Sequence, residues 1–172
     1  MTLPARFSMV RKSMHWVTAV LILGLAMTGM AYSNDIGGSV PLMAHQILGQ
    51  ILILVLIVRL IGVLRSPAGP NLANHAVWER RVSKMVHVLL YLCMIFFVAT
   101  GFVAASGLRE PSLLYSLPLT FARSDMAETL VEIHYALKIP LIALLFFHVG
   151  GALKHALVDK DETLQNMWFT KR

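Results

Sequence analysis

Six of the seven histidines of this 172-residue chain fall within or beside long apolar stretches of the sequence. They are His15, His45, His87, His134, His148 and His155. Ionisable side chains are costly in such surroundings and usually have a function there. A neutral imidazole nitrogen is a common metal ligand, so this distribution indicates a bound metal or metal cofactor. The seventh, His75, lies in a more polar stretch and is expected to be solvated.

The spacing of these residues places several of them on common helical faces. His134 and His148 are 14 residues apart, which at about 100° per residue brings both side chains to one face of a helix. At about 1.5 Å per residue they are separated by roughly 21 Å along the helix axis. His45 and Arg59 have the same spacing in an earlier stretch. Each of two helices therefore presents polar groups at two depths.

The elements that carry these residues are predicted to be membrane helices. The sequence is 57% hydrophobic and 14% charged, whereas soluble domains average about 45–50% apolar and about 25% charged residues. Because a small domain has too much surface to bury so many apolar side chains, lipid must be the main solvent. Four stretches have the roughly 20 apolar residues that a span requires. They cover about 14–32, 40–64, 82–105 and 130–157.

We therefore predict an all-α fold, an integral membrane four-helix bundle in which 1–172 forms a single domain. Pro140 lies within the fourth span and should kink it, because proline has no N–H to donate to the Ala136 carbonyl. Cys93 is the sole cysteine, which excludes an intrachain disulfide and covalent haem attachment through Cys-x-x-Cys-His. The first span also has features of a secretory signal, with basic residues before it and Gly29-Met30-Ala31 as a cleavage site, but its length and the His15-Trp16 pair at its start favour a membrane span.

Basic residues are distributed unevenly between the two sides of the predicted bundle. Twelve of the fifteen Lys and Arg residues fall on the side that carries both termini. By the positive-inside rule this side is cytoplasmic, which places the N and C termini inside. The net charge of +6 thus reflects membrane topology, and we expect no nucleic-acid partner.

Depth in the membrane then pairs the histidines. His15 and His148 lie near the cytoplasmic side, and His45 and His134 lie near the outer side. Each pair can hold a wide, flat group between two helices, and haem b with two axial imidazoles fits this arrangement. Zinc fits less well, because it takes about four ligands that converge at about 2 Å. A dinuclear carboxylate site is excluded, since no Asp or Glu accompanies the histidines inside a span.

Three further residues have more than one interpretation. Arg59, at the depth of His15 and His148, either binds a haem propionate or extends to the lipid headgroups. His87 lies at the same depth in the third span. It is an alternative iron ligand to His15, or a hydrogen-bond partner for a propionate or a bound quinone. His155 either lines a quinone site or is an interfacial residue.

Several short motifs follow one another in a specific order along the chain. They are His15-Trp16 after Arg-Lys-Ser-Met, Ala44–Gly49 followed by Val58–Leu60, Val86–Tyr91, the pair His134 and His148, and Lys160–Leu164. In this order and spacing the sequence resembles the bacterial cytochrome b561 family over nearly its whole length. The resemblance implies a four-helix bundle in the bacterial inner membrane that holds two haems b without covalent bonds. It also implies that the iron ligands are the residues matching His15, His45, His134 and His148.

The resemblance further implies an oxidoreductase that takes electrons from periplasmic superoxide and delivers them to ubiquinone. The donor is expected to reduce the outer haem, and the electron to pass to the inner haem and then to ubiquinone. Three basic residues on the outer side form either a positive funnel for superoxide or ordinary loop charge. They are Arg109, Arg123 and Lys138. Two alternatives are a cytochrome b subunit that links a periplasmic dehydrogenase or hydrogenase to the quinone pool, and a cofactor-free membrane channel or assembly protein.

Overall fold

The computed structural model describes residues 8–65, 76–107 and 124–169, and these ranges contain helices and turns but no β-strand. The helices are α1 (Met9–Ser33), α2 (Val40–Arg65), α3 (Val77–Gly107), α4 (Ser124–Ala136) and α5 (Lys138–Lys154), followed by a π-helical turn (His155–Asp159) and a 3₁₀ turn (Gln165–Met167). Because α4 and α5 together form one membrane span, the described residues contain four segments long and apolar enough to cross a membrane. The predicted all-α, four-span architecture is confirmed.

The helices extend beyond the apolar stretches that predict them. α1 begins at Met9 and is capped by the Ser8 hydroxyl, which accepts a hydrogen bond from the Arg11 backbone N–H (3.3 Å). α3 begins at Val77 and the fourth span begins at Ser124, one to two turns before their apolar stretches. The polar side chains of these extra turns are able to reach water. Hydropathy therefore locates the part of a helix that lies in lipid and leaves its ends undetermined.

The fourth span is interrupted at Leu137, between α4 and α5. Pro140 follows three residues later and has no N–H to donate to the Ala136 carbonyl. Helical bonding continues on both sides, since Leu137 N donates to Ile133 O (3.0 Å) and Leu141 N donates to Leu137 O (3.1 Å). The proline thus makes the span irregular at the expected place while the two segments stay connected.

Both ends of the described chain lie at one end of the bundle. The Trp16 indole N–H donates to the Met167 carbonyl (2.9 Å), and the Lys12 ammonium donates to the Trp168 carbonyl (3.0 Å). These bonds tie the final turns to the start of α1. With an even number of spans, they place the two ends of the chain on the same side of the membrane.

Helices α1, α2 and α3 pack around a cluster of buried aliphatic side chains. The cluster comprises Leu21, Leu52, Leu56, Val86, Leu90 and Met94. Many other large apolar side chains are exposed on the outer surface, as expected where that surface faces lipid. In lipid, close packing takes the place of the hydrophobic effect in holding helices together. Gly24 permits such packing, because a Cβ there would lie 3.1 Å from Leu48 Cδ1.

Candidate metal centres

Five histidines form two groups at opposite ends of the bundle. His45 and His134 lie near the end away from the termini, and we call them the distal tier. His15, His87 and His148 lie near the end that carries the termini, and we call them the proximal tier. Because 14 residues separate His134 from His148, the tiers are about 21 Å apart along the fourth span.

In the distal tier one imidazole comes from α2 and the other from α4. The ring centroids of His45 and His134 are 6.0 Å apart, and the ring planes are inclined by 80°. Both side chains are half-buried within the bundle. The structure therefore brings these two rings together at one depth, although they are far apart in sequence.

The imidazole of His45 is held through its Nδ1 atom by α1. Nδ1 lies 3.0 Å from the Leu25 carbonyl oxygen and 3.2 Å from the Thr28 hydroxyl oxygen. The Thr28 hydroxyl itself donates to the Gly24 carbonyl (2.8 Å), so its oxygen is available as an acceptor. Nδ1 must therefore carry the ring proton. This tautomer leaves Nε2 as the unprotonated nitrogen that can bind a metal.

The same arrangement holds His134 through α3. Its Nδ1 lies 3.1 Å from the Phe97 carbonyl oxygen and 3.2 Å from the Thr100 hydroxyl oxygen. The Thr100 hydroxyl donates to the Phe96 carbonyl (2.7 Å). The Phe97 ring adds an edge-to-face contact to the imidazole, with centroids 4.8 Å apart. His134 consequently has the same tautomer as its partner ring and the same free nitrogen.

Two glycines lie directly against the distal imidazoles. A Cβ at Gly29 would be 3.2 Å from His45 Cε1, and a Cβ at Gly101 would be 2.9 Å from His134 Cε1. Protein interiors are packed so densely that an added methyl group fits only if a neighbouring side chain moves. Each glycine therefore sets how closely its helix approaches the imidazole ring.

The proximal tier contains three imidazoles from three helices. The His15 and His148 centroids are 5.9 Å apart, with an interplanar angle of 55°. His87 is closer to His148, at 5.0 Å, and its ring is nearly perpendicular to that of His148. His87 is exposed, and its Nδ1 bonds to the Ser83 carbonyl one turn earlier on α3 (2.6 Å).

Arg59 lies at the same height as the proximal imidazoles. Its guanidinium carbon is 5.3 Å from the centroid of the Tyr91 ring, a cation–π distance that links α2 to α3. The Arg59 charge is close enough to act electrostatically on both His15 and His148. A fixed positive charge beside these two imidazoles favours an anionic group at this end of the bundle.

The spacing of the rings tests whether a metal cofactor fits. Two opposed imidazoles that share one first-row metal, with metal–nitrogen bonds of about 2 Å, have ring centres roughly 6 Å apart. The pairs His45–His134 at 6.0 Å and His15–His148 at 5.9 Å match this separation. The 5.0 Å between His87 and His148 is too short for opposed ligands. Two sites of two imidazoles each suit haem iron, whose other nitrogens come from the porphyrin, better than zinc with its about four protein ligands.

His155 lies beyond the proximal tier in the π-helical turn. Its Nδ1 bonds to Oδ2 of Asp159 (2.9 Å) and to Oδ2 of Asp161 (2.8 Å). Partial burial opposes ionisation of Asp161, but hydrogen bonds from Thr163 and His155 outweigh it and lower the pKa of that carboxyl. The imidazole is therefore held by the acidic residues that follow α5.

A second set of charges joins the end of α5 to the start of α3. The Lys154 ammonium bonds to the Glu79 carboxylate and to Asp159 Oδ2, the latter at 2.8 Å. Through Asp159 this ion pair is continuous with the hydrogen bonds of His155. Charged side chains thus join the end of α5 to the start of α3 at the proximal end of the bundle.

The final turns of the chain also lie next to the proximal tier. The Trp168 ring packs edge-to-face on Trp16, with centroids 5.2 Å apart. Trp16 in turn packs edge-to-face on His15 at 5.6 Å. These aromatic contacts place the C-terminal segment beside one of the two rings with metal-binding spacing.

The predicted positive funnel falls largely outside the part of the chain that the structure describes. Arg109 and Arg123 lie outside the described residues, as does His75. Lys138 is the first residue of α5 and is exposed. Lys138 follows His134 by four residues, so its backbone lies about 6 Å farther into the span. Its long side chain is able to extend back over that distance toward the distal surface.

Sequence reasoning identified the imidazoles but missed the residues that hold the distal pair. The signal was a repeated dipeptide. Thr-Gly occurs twice in the sequence, as Thr28-Gly29 and Thr100-Gly101, and each time the threonine follows a histidine by 13 residues. Those histidines are His15 and His87, so α1 and α3 carry the same polar pattern.

Similar proteins are found over nearly the full length of the chain. The family described as prokaryotic cytochrome b561 matches residues 6–170. Cytochrome b561 homolog 2 from Escherichia coli (strain K12) is 26% identical over 173 residues, which covers 95% of this chain and 92% of that protein. The matched region includes both histidine tiers and all four spans.

Proposed function

Because the chain belongs to the prokaryotic cytochrome b561 family, a family of membrane cytochromes that bind b-type haem and transfer electrons, we propose that it is a di-haem electron carrier of the bacterial inner membrane. The observation that supports two haems is the ring spacing. Two separate imidazole pairs, at 5.9 and 6.0 Å, each have the separation of opposed ligands to one metal. These two pairs lie about 21 Å apart along the fourth span. No other histidine pair described above has this ring separation.

We assign the iron ligands by tier. His45 and His134 hold the distal haem, and His15 and His148 hold the proximal haem. Haem b bound at both tiers supplies a one-electron carrier near each membrane surface. With two imidazoles as ligands, each haem would be suited to electron transfer rather than to oxygen binding.

The remaining polar residues of the proximal tier bind the anionic edge of the cofactor. Arg59 is the cationic partner of a propionate, because guanidinium binds carboxylates through two parallel hydrogen bonds. The Tyr91 ring holds the guanidinium at that height. With its Nδ1 bonded to the Ser83 carbonyl, His87 presents Nε2 to a propionate or to a quinone.

Orientation follows from the positive-inside rule. Because most basic residues lie at the proximal end with the termini, that end is cytoplasmic and the distal end is periplasmic. Electrons then enter at the periplasmic surface and leave at the proximal end. His87 and His155 are the candidates for the quinone-facing surface there.

For the finer activity we propose superoxide as donor and ubiquinone as acceptor. Superoxide loses one electron and becomes dioxygen, whereas ubiquinone takes up two electrons and two protons to become ubiquinol. Two superoxide ions are therefore consumed for each quinone. Positive charge at the periplasmic end would draw the anion inward, and the basic residues for this role are Arg109, Arg123 and Lys138.

Rapid mixing of the purified protein with superoxide tests this activity. The haem absorbance should show reduction directly after mixing with superoxide. Reoxidation should follow only when ubiquinone is present. A matched sample with superoxide dismutase is the control, because it removes the donor and leaves the protein unchanged. Haem that stays oxidised in superoxide would refute the proposed donor. Co-purification with a periplasmic dehydrogenase or hydrogenase would then favour the subunit alternative, and a colourless protein would favour the cofactor-free one.

A further inference from the structure

The two distal imidazoles are held by equivalent segments of different helices. Thr28-Gly29 on α1 contacts His45, and Thr100-Gly101 on α3 contacts His134. We call these two dipeptides the Thr-Gly collars. In both collars the threonine oxygen lies 3.2 Å from Nδ1, a backbone carbonyl three residues before the threonine lies at 3.0–3.1 Å, and the glycine faces Cε1.

The collars belong to a repeat that the sequence itself displays. In the first hairpin the collar on α1 contacts a histidine near the start of α2. In the second hairpin the collar on α3 contacts a histidine on α4. Each contacted histidine has a further polar residue 14 positions later, Arg59 after His45 and His148 after His134. Because the same contact occurs once in each hairpin, it is a repeated structural feature of the bundle and not an isolated contact.

We propose that the Thr-Gly collars are positioning residues that orient the distal imidazoles and lower the reduction potential of the haem they bind. This inference rests on the proposed function, since it assumes that His45 and His134 are iron ligands. The collars act on iron only through the imidazoles, because the threonines contact Nδ1 and the glycines contact Cε1, the carbon between the two ring nitrogens.

The threonines act on the electronic character of the ligand. An imidazole whose Nδ1–H donates to oxygen acceptors is a more basic ligand at Nε2. A more basic ligand stabilises the oxidised iron relative to the reduced iron, and so the potential falls. Each ring has two such acceptors, one carbonyl and one hydroxyl, so removing the hydroxyl weakens this hydrogen bonding without abolishing it.

The glycines act on the position of the ring. A methyl group at Gly101 must displace His134, since the added Cβ would lie only 2.9 Å from Cε1 of that imidazole. At Gly29 the corresponding distance of 3.2 Å to His45 requires only a small shift. Gly62 has nothing within 4 Å of its Cβ position, so alanine there should be neutral.

The proximal tier differs from the distal tier in this respect. No hydrogen bond to His15 or His148 is seen among the residues that the structure describes. Near these two rings lies the positive charge of Arg59, which stabilises the reduced iron. The collars and Arg59 therefore favour electron flow in one direction, from a distal haem of lower potential to a proximal haem of higher potential.

The threonine test uses Thr28→Val and Thr100→Val, with Thr18→Val as the matched control. Thr18 also donates to the carbonyl four residues earlier, that of Met14 (2.7 Å). It is buried on α1 away from the distal tier. Redox titration followed by haem absorbance should show the lower midpoint potential rising in each collar variant, the higher one unmoved, and no change in the control. Thr→Ser at either collar should restore the parent value, because serine supplies the same oxygen.

The glycine test ranks three variants by their distances. Gly101→Ala should displace its ligand most, Gly29→Ala less, and Gly62→Ala not at all. We expect a shifted low-spin electron paramagnetic resonance signal for one haem in the first two variants. Haem retention at that site should fall by roughly 10–100-fold for the stronger one, which is the usual effect of disturbing an outer-shell partner.

Two outcomes would overturn the inference. One is a protein with two haems whose potentials and resonance signals are the same in all collar variants and in the controls. The other is a rise of the higher midpoint potential instead of the lower one, which would show that the collars do not lower the potential of the distal haem as proposed. A parent protein without haem would refute the proposed function itself, and its absorbance spectrum distinguishes that failure from the other two.

Discussion

The proximal tier offers three imidazoles for a haem iron that takes two, and separate replacement of His15 and His87 decides between them. His15 lies 5.9 Å from His148 between ring centroids, close to the roughly 6 Å of opposed metal ligands. His87 lies 5.0 Å from the same ring and nearly perpendicular to it. We therefore predict that His15→Ala loses the proximal haem and that His87→Ala retains it.

The expected magnitudes follow from the number of sites. Loss of one axial ligand should halve the haem content of the purified protein and halve the amplitude of its reduced-minus-oxidised absorbance band. His87→Ala should keep the full haem content. Retention at the proximal site should weaken by no more than about 10–100-fold in that variant, because His87 is a neighbour of the ligand and not a ligand.

The assay is a pyridine haemochrome determination on detergent-purified variants, normalised to protein. His155→Ala is a matched control, because His155 is an imidazole at the same end of the bundle but beyond the proximal tier. Full haem content in His15→Ala together with half content in His87→Ala would refute the ligand assignment. It would show that His87 on α3 provides the ligand.

Three other predictions concern the proximal end and the periplasmic surface. Trp168→Ala should lower the free energy of unfolding by about 1 kcal/mol, because it removes an edge-to-face aromatic pair. Calorimetry should show the corresponding fall in the thermal unfolding midpoint. Asp161→Asn should destabilise the protein at neutral pH. Because its pKa is lowered in the folded state, the contribution of Asp161 is present above the unfolded pKa and is lost as the pH falls through the folded pKa. Thermal unfolding should therefore show the full difference from the parent at about pH 7 and a smaller one as the pH falls below the ordinary Asp pKa of about 3.9. Replacing the three funnel residues by glutamine should slow haem reduction by superoxide and remove its salt dependence, and unchanged stopped-flow rates would contradict the funnel. These residues are Arg109, Arg123 and Lys138.

The sequence predicted those parts of the structure that depend on a single helix. Apolar stretches of sufficient length gave the four spans, since the thickness of the bilayer sets that length. The spacing of His134 and His148 placed both on one face at two depths, because helical rise and rotation are constant. The irregularity near Pro140 was likewise predicted, as a missing N–H has a local effect.

The parts that the sequence did not predict depend on how two segments pack against each other. The bond from His45 to the Leu25 carbonyl requires a specific rotation of α1 relative to α2, and periodicity within one helix does not contain that rotation. The contact of Trp168 with Trp16 joins residues near opposite ends of the sequence. It follows from the antiparallel packing of the whole bundle, so no local pattern signals it.

The number of haems per chain tests the central claim most directly. A pyridine haemochrome assay on the purified parent protein, combined with a reduced-minus-oxidised spectrum, measures it without any mutation. Two opposed imidazole pairs predict two haems b for each polypeptide, both low-spin when oxidised. A single haem would mean that one of the two pairs has another role, and a colourless protein would contradict the account as a whole.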